Sequence, residues 1–170
     1  ADSESFSDPL KIQLADIQAV VKEIGKLQYV DLSRSGICGW GYGGYLGTMA
    51  MLKCDNIFGV GVAILNDFFW SQSSSIYLNY MANLLANDQV FRKIDPHNFC
   101  YNLRGRLLVI QSASSTLPQL VDAQRLIPEL LSIRRPVDFY LYPWENNPII
   151  RSANQYDMFI KTARFFQLNL

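Results

Sequence analysis

A chain of 170 residues can bury one sizeable core, and 49% hydrophobic against 18% charged residues excludes an intrinsically disordered chain. Lys+Arg and Asp+Glu both number 15, so the formal charge is zero and the composition argues against nucleic acid or an anionic membrane as the main partner. Three cysteines, Cys38, Cys54 and Cys100, leave at least one thiol unpaired, and none stands in a CxxC or metal-ligand spacing.

In chain order, residues 1–9 read as an exposed lead-in rich in Ser and Asp, and residues 10–170 as one domain. Ile12, Ile17, Val20, Val21 and Ile24 recur at helical spacing, which predicts an amphipathic helix over 10–26. Gly36-Ile-Cys-Gly-Trp40 is short and apolar enough for a buried strand, where Cys38 is expected as a small buried hydrophobe. A helix is predicted over 41–53. The continuous apolar run 58–65 predicts a strand covered on both faces. Residues 66–95 read as mostly helical. A strand over 106–111, a helix over 121–133 bent or ended by Pro128, a strand over 137–142 and a closing helix over 154–166 complete the pattern.

Strands alternating with helices predict an α/β fold with a parallel sheet and helices on both faces. Four such strands, preceded by a helix, would leave one sheet edge unpaired. The expectation is a partial fold whose first strands come from residues outside this chain.

Gly39-Trp-Gly-Tyr-Gly-Gly44 stands between a predicted strand and a predicted helix. That is the context of the nucleophile elbow G-x-S-x-G, a sharp turn that presents a serine at the C-terminal edge of a sheet. Here the central position is Gly41, which has no side chain to act as nucleophile.

The segment Ser33-Arg-Ser-Gly-Ile-Cys-Gly-Trp-Gly-Tyr-Gly-Gly-Tyr45 resembles the elbow of the dipeptidyl peptidase IV group in the prolyl oligopeptidase family, usually G-W-S-Y-G-G-Y. Asp16-Ile-Gln18, the run 58–65, Ile76-Tyr-Leu-Asn-Tyr-Met81, Leu107-Leu-Val-Ile-Gln111 and Asp138-Phe-Tyr-Leu-Tyr-Pro143 resemble further segments of that family, so the similarity covers nearly the whole chain. The resemblance implies the C-terminal part of an α/β-hydrolase domain. Carried across residue by residue, it places the nucleophile on Gly41. The family's H-G-x-x-D falls on Gln111-Ser-Ala-Ser-Ser115, which puts the triad acid on Ser115. The histidine loop falls on Trp144-Glu-Asn-Asn-Pro148, with Asn147 at the base position. No histidine follows His97. The family's paired substrate tyrosines fall on Gln72 and Ile76.

Triad chemistry needs a nucleophile, a base titrating near neutrality and a group that orients it, and Gly41, Ser115 and Asn147 supply none of these. The expectation is therefore a pseudoenzyme without catalytic residues, cofactor or metal. It would work through protein–protein interaction as an accessory or scaffold subunit. By the same resemblance, residues 154–170 are the candidate surface of a homo- or heterodimer, and a β-propeller and the rest of the hydrolase belong to the family's full architecture. The alternatives are residual hydrolase activity through other residues, or a ligand-binding module in the vacated site.

Other features have plainer readings. His97 is read as a surface or capping histidine. Ser112, Ser114 and Ser115 are read as a solvated loop at a strand end. Trp40, Tyr42 and Tyr45 are read as packing beside the turn, and Arg134-Arg-Pro136 as a solvated basic turn. Gly39-x-Gly41-x-x-Gly44 also fits G-x-G-x-x-G, with Asp67, just past the 58–65 strand, as the candidate ribose-binding acid, but the wider hydrolase match argues against a dinucleotide. The residues contain no Asn-x-Ser/Thr sequon and lack the closing-helix cysteine of secreted relatives. This favours the cytosol over a membrane-anchored extracellular setting, with membrane contact only through residues outside this chain.

Overall fold

The computed structural model describes residues 9–55, 57–65, 92–114 and 117–170. Helix α1 (Pro9–Ile24) is followed by a short 3-10 turn (Leu32–Arg34), strand β1 (Gly36–Trp40), helix α2 (Tyr42–Lys53) and strand β2 (Val60–Ile64). A second 3-10 segment (Pro96–Asn102) leads into β3 (Arg106–Ser112). Helix α3 (Leu117–Ser132), β4 (Val137–Tyr142) and α4 (Ser152–Asn169) complete the described order. The strands form one parallel sheet in the order β1-β2-β3-β4, in register from Gly36 opposite Val60 to Ser112 opposite Tyr142.

The alternation of side chains along each strand sorts the apolar residues into two cores. Ala63, Leu107 and Val109 face α1, α2, the second 3-10 segment and α3, together with Tyr45, Met49, Leu103 and Leu126. Val62, Ile64, Leu108 and Ile110 face the other way, onto Met158, Phe165 and Phe166 of α4. β2 is buried at every position because both of its faces are covered, as its unbroken apolar run requires. Removing the side chain of Ile110, which is fully buried in the second core, would cost about 2–5 kcal/mol.

β1 departs from the sequence expectation. It is the outer strand among the described residues, and its burial alternates instead of being continuous. Ile37 packs on the α2 side, near Gly47. Gly36, Cys38 and Trp40 are exposed on the opposite face, where Phe166 approaches Gly36. Cys38 is therefore exposed and not the buried hydrophobe expected: it lies on the outer strand among the described residues, while α4 packs on β2.

Smaller differences have local causes. The strand expected over 58–65 is trimmed to Val60–Ile64. α3 begins before residue 121 and continues through Pro128, which lies inside the helix on an exposed position. β3 runs one residue past its expected end, so Ser112 is a fully buried strand residue and not a solvated loop hydroxyl. Arg135 is not part of a freely solvated turn: its guanidinium donates to the Tyr101 carbonyl at 2.8 Å. The helical reading of 66–95 falls mainly outside the described residues, as do Asp67, Gln72 and Ile76.

Candidate active site

The C-terminal ends of all four strands lie along one edge of the sheet, and a series of backbone hydrogen bonds joins the loops that leave them. The Gly41 amide donates to the Ile64 carbonyl at 2.8 Å, and the Leu65 amide to the Ile110 carbonyl at 2.8 Å. The Ala113 amide donates to the Tyr142 carbonyl at 2.9 Å, and the Ser114 amide to the Glu145 carbonyl at 3.0 Å. This edge thus carries the turn at Gly41, the end of β3 next to Ser115, and the loop containing Asn147. Ser115 itself lies outside the described residues.

Gly41 caps α2 with φ 54° and ψ −122°, in the left-handed half of backbone space that side chains oppose. Its carbonyl accepts from the amides of Gly44 and Tyr45, which closes the first turn of the helix. The space where a Cβ would stand at Gly41 is clear of described atoms to 4 Å. The turn therefore has the strand-to-helix form of an elbow, with open space where the reacting side chain of such a turn projects.

The neighbouring glycines are not equivalent. A Cβ on Gly39 would collide with the Gly43 carbonyl, so the turn needs glycine there. A Cβ on Gly43 would meet no described atom within 4 Å.

The aromatic residues around the turn divide by depth. Tyr45 is 1% exposed, and its hydroxyl donates to the Ile94 carbonyl at 2.6 Å. Tyr42 donates to the Gln13 side chain at 2.5 Å, which ties the elbow to α1. These two rings lie 5.7 Å apart. Both are packing residues, while Trp40 is 38% exposed.

The loop from Trp144 to Arg151 contains Asn147, the residue that the resemblance puts at the base position. Asn147, exposed in that loop, precedes a cis peptide bond to Pro148. The buried residue is Glu145, at 1% exposure. Its carboxylate accepts from the Ile150 amide at 3.0 Å, the Arg151 amide at 3.3 Å and the Asn154 side chain at 2.6 Å, with the Arg151 guanidinium 4.0 Å away. Burial alone would raise its pKa; the donors around it outweigh burial and hold the carboxyl below its ordinary value. The sequence signal was an acid placed shortly before a helix start, where unpaired amides attract negative charge.

His97 is neither a free surface residue nor only a cap. The Asp95 carboxylate accepts from its backbone amide at 3.0 Å, and its Nδ1 contacts the Glu129 carboxylate on α3. Burial raises the Asp95 carboxyl, a tendency its hydrogen bond to His97 opposes. Among the described residues no group of three His, Cys, Asp or Glu side chains is placed to hold a metal ion.

The sequence and fold have clear relatives. Dipeptidyl peptidase 8 of Homo sapiens is 27% identical over 179 residues, covering 97% of this chain and 20% of its own length. The chain thus spans about a fifth of the length of that relative. The crystal structure of Porphyromonas gingivalis dipeptidyl peptidase 4 matches 98% of the chain and 24% of its own, with TM-score 0.89 and 25% identity. A Pyrococcus horikoshii acylaminoacyl peptidase matches 78% of the chain and 23% of its own, with TM-score 0.70 and 25% identity. The sheet and its helices are thus those of α/β-hydrolase peptidases. The family model described as the prolyl oligopeptidase family matches residues 9–170, and the chain belongs to that family.

Proposed function

We propose that this chain is a non-catalytic, dipeptidyl-peptidase-like member of its family that acts through protein–protein contact. The observation that carries the reading is Gly41: a strand-to-helix turn of elbow form, with space clear of described atoms where a side chain would stand and none to fill it. Ser115 and Asn147 stand at the positions assigned to the triad acid and base, and neither is a base near neutral pH. His97, the only imidazole, is engaged with Glu129 on α3.

The interaction role draws support from α4. Met158 packs into the second core, while Tyr156, Phe159 and Leu168 are 71%, 61% and 83% exposed on the same helix. Aromatic and aliphatic side chains left in water in this way suit a subunit contact. We therefore place the homo- or heterodimer surface on residues 154–170.

The test is incubation of the natural full-length protein with a fluorophosphonate probe and a proline-containing dipeptide reporter, beside an active family member. No labelling and no turnover, while the control reacts, is the expected result. Labelling or turnover would overturn the non-catalytic reading. Sedimentation of Phe159→Glu and Leu168→Glu variants tests the surface: a fall in assembly size is expected, and an unchanged size argues against α4 as the contact.

A further inference from the structure

The loop between β4 and α4 holds two large apolar side chains in water. Trp144 is 81% exposed with φ 58°, and Ile150 is 69% exposed. A non-glycine residue in left-handed backbone persists only where its surroundings over-determine it. The apolar side chain within this loop that anchors it to the core is Ile149, at 1% exposure.

The polar anchor is Glu145. Its backbone carbonyl receives the Ser114 amide from the end of β3. Its side chain turns inward and gathers the amides of Ile150 and Arg151 and the side chain of Asn154 on the first turn of α4. One residue therefore joins three separate pieces of chain: the β3 end, the return of the loop and the start of α4. From α4 the charged group facing it is the Arg151 guanidinium, which is largely exposed and 4.0 Å from the carboxylate. Asp157, the nearest acid on the helix, is occupied by Tyr142 and Lys161.

We propose that Glu145 is the positioning residue of this loop, holding residues 144–151 as a preformed outward-facing element that carries Trp144 and Ile150. A carboxylate suits the task because it only accepts, and the groups it meets are two backbone N–H and the Asn154 NH2, which donate. A neutral glutamine would turn an NH2 group toward those donors. The inference concerns the order of the loop and not turnover, so it stands or falls separately from the non-catalytic reading.

Hydrogen exchange read by mass spectrometry on the natural full-length protein tests it. In the Glu145→Gln variant, the peptide containing Ile150 and Arg151 should exchange about tenfold faster or more, while peptides from β2 and β3 keep their protection. Asn154→Ala removes one donor without disturbing the carboxylate, and should give a smaller acceleration confined to the same peptide. Arg151→Ala should leave the exchange nearly unchanged. Unaltered exchange around Ile150 in both Glu145→Gln and Asn154→Ala would overturn the proposal. So would an equal loss of protection across the sheet, which would make Glu145 a general stability residue.

Discussion

The amide of Gly41 donates to the carbonyl of Ile64 at 2.8 Å, so the turn after β1 is pinned by the end of β2. This bond extends the parallel ladder one step beyond Trp40, which lies opposite Ile64. The backbone at Gly41 is thereby held by the sheet and by the first turn of α2, without help from a side chain at this position.

A serine at Gly41 should therefore fit sterically and cost stability only through its backbone. Backbone at φ 54° and ψ −122° disfavours a Cβ by about 1–3 kcal/mol, and the space around it is clear of described atoms. Denaturant unfolding of Gly41→Ser should show a loss of this size with a native-like slope. The variant should remain unreactive toward a fluorophosphonate, because His97, the one imidazole of the sequence, is engaged with Glu129 on α3. A much larger loss would mean that the turn is tighter than its geometry indicates.

Gly39→Ala should be worse than Gly41→Ser, although both add little volume. The new methyl group would strike the Gly43 carbonyl, a backbone atom that cannot swing away. A destabilisation of at least about 2 kcal/mol is expected. Gly43→Ala, where the space is open, should cost clearly less in the same assay.

Tyr45→Phe removes the hydroxyl that donates to Ile94 and leaves a buried carbonyl without that donor. The ring remains in the first core, so the expected loss is about 1–3 kcal/mol and the m-value should not change. A neutral result would show that water or a backbone shift replaces the bond.

Acid should destabilise the fold through carboxylates held below their ordinary pKa, Asp157 and Glu145 among them. Hydrogen bonds from Lys161 and Tyr142 hold Asp157 below its ordinary pKa, and the donors around Glu145 outweigh its burial with the same net effect. Groups depressed in the folded state add stability above their unfolded pKa and lose it as pH falls through the folded value. The loss therefore begins near the ordinary carboxylate range and deepens below it. Asp95, raised by burial, has the opposite sign and softens the decline. Glu145→Gln and Asp157→Asn should each flatten the acid limb of a stability–pH curve; an unchanged limb would count against that group.

Burial pushes the Cys100 thiol up to about 12, with Glu129 and Asp95 adding to the shift, and it raises Cys54 in the same direction. Both side chains are buried, so a thiolate-selective reagent at mildly alkaline pH should modify them only as fast as the chain opens. Modification of Cys100 faster than measured unfolding would contradict this packing.

Much of the fold was legible because each strand is a short apolar run between turn signals. β1 and β4 occur where the sequence placed them, and β3 differs by one residue. The glycine pattern around Gly41 was legible for the same reason: a turn that crowds backbone on backbone admits few residues. What escaped was long-range. Cys38 lies in an apolar run, yet its burial depends on which strand stands at the sheet edge. At Glu145 the sequence shows an acid shortly before a helix start, but not that the amides five and six residues later converge on its carboxylate.

Periodicity, turn chemistry and missing side-chain types are properties of the chain alone, so sequence by itself determined the α/β order, the elbow-like segment with glycine at its centre and the lack of any histidine after His97. Only the tertiary structure decided that Gly39 is required and Gly43 is not, that His97 meets Glu129, and that Glu145 is the buried anchor of the loop holding Asn147. Those outcomes depend on distances between residues far apart in sequence, which are set when the sheet and its two cores assemble.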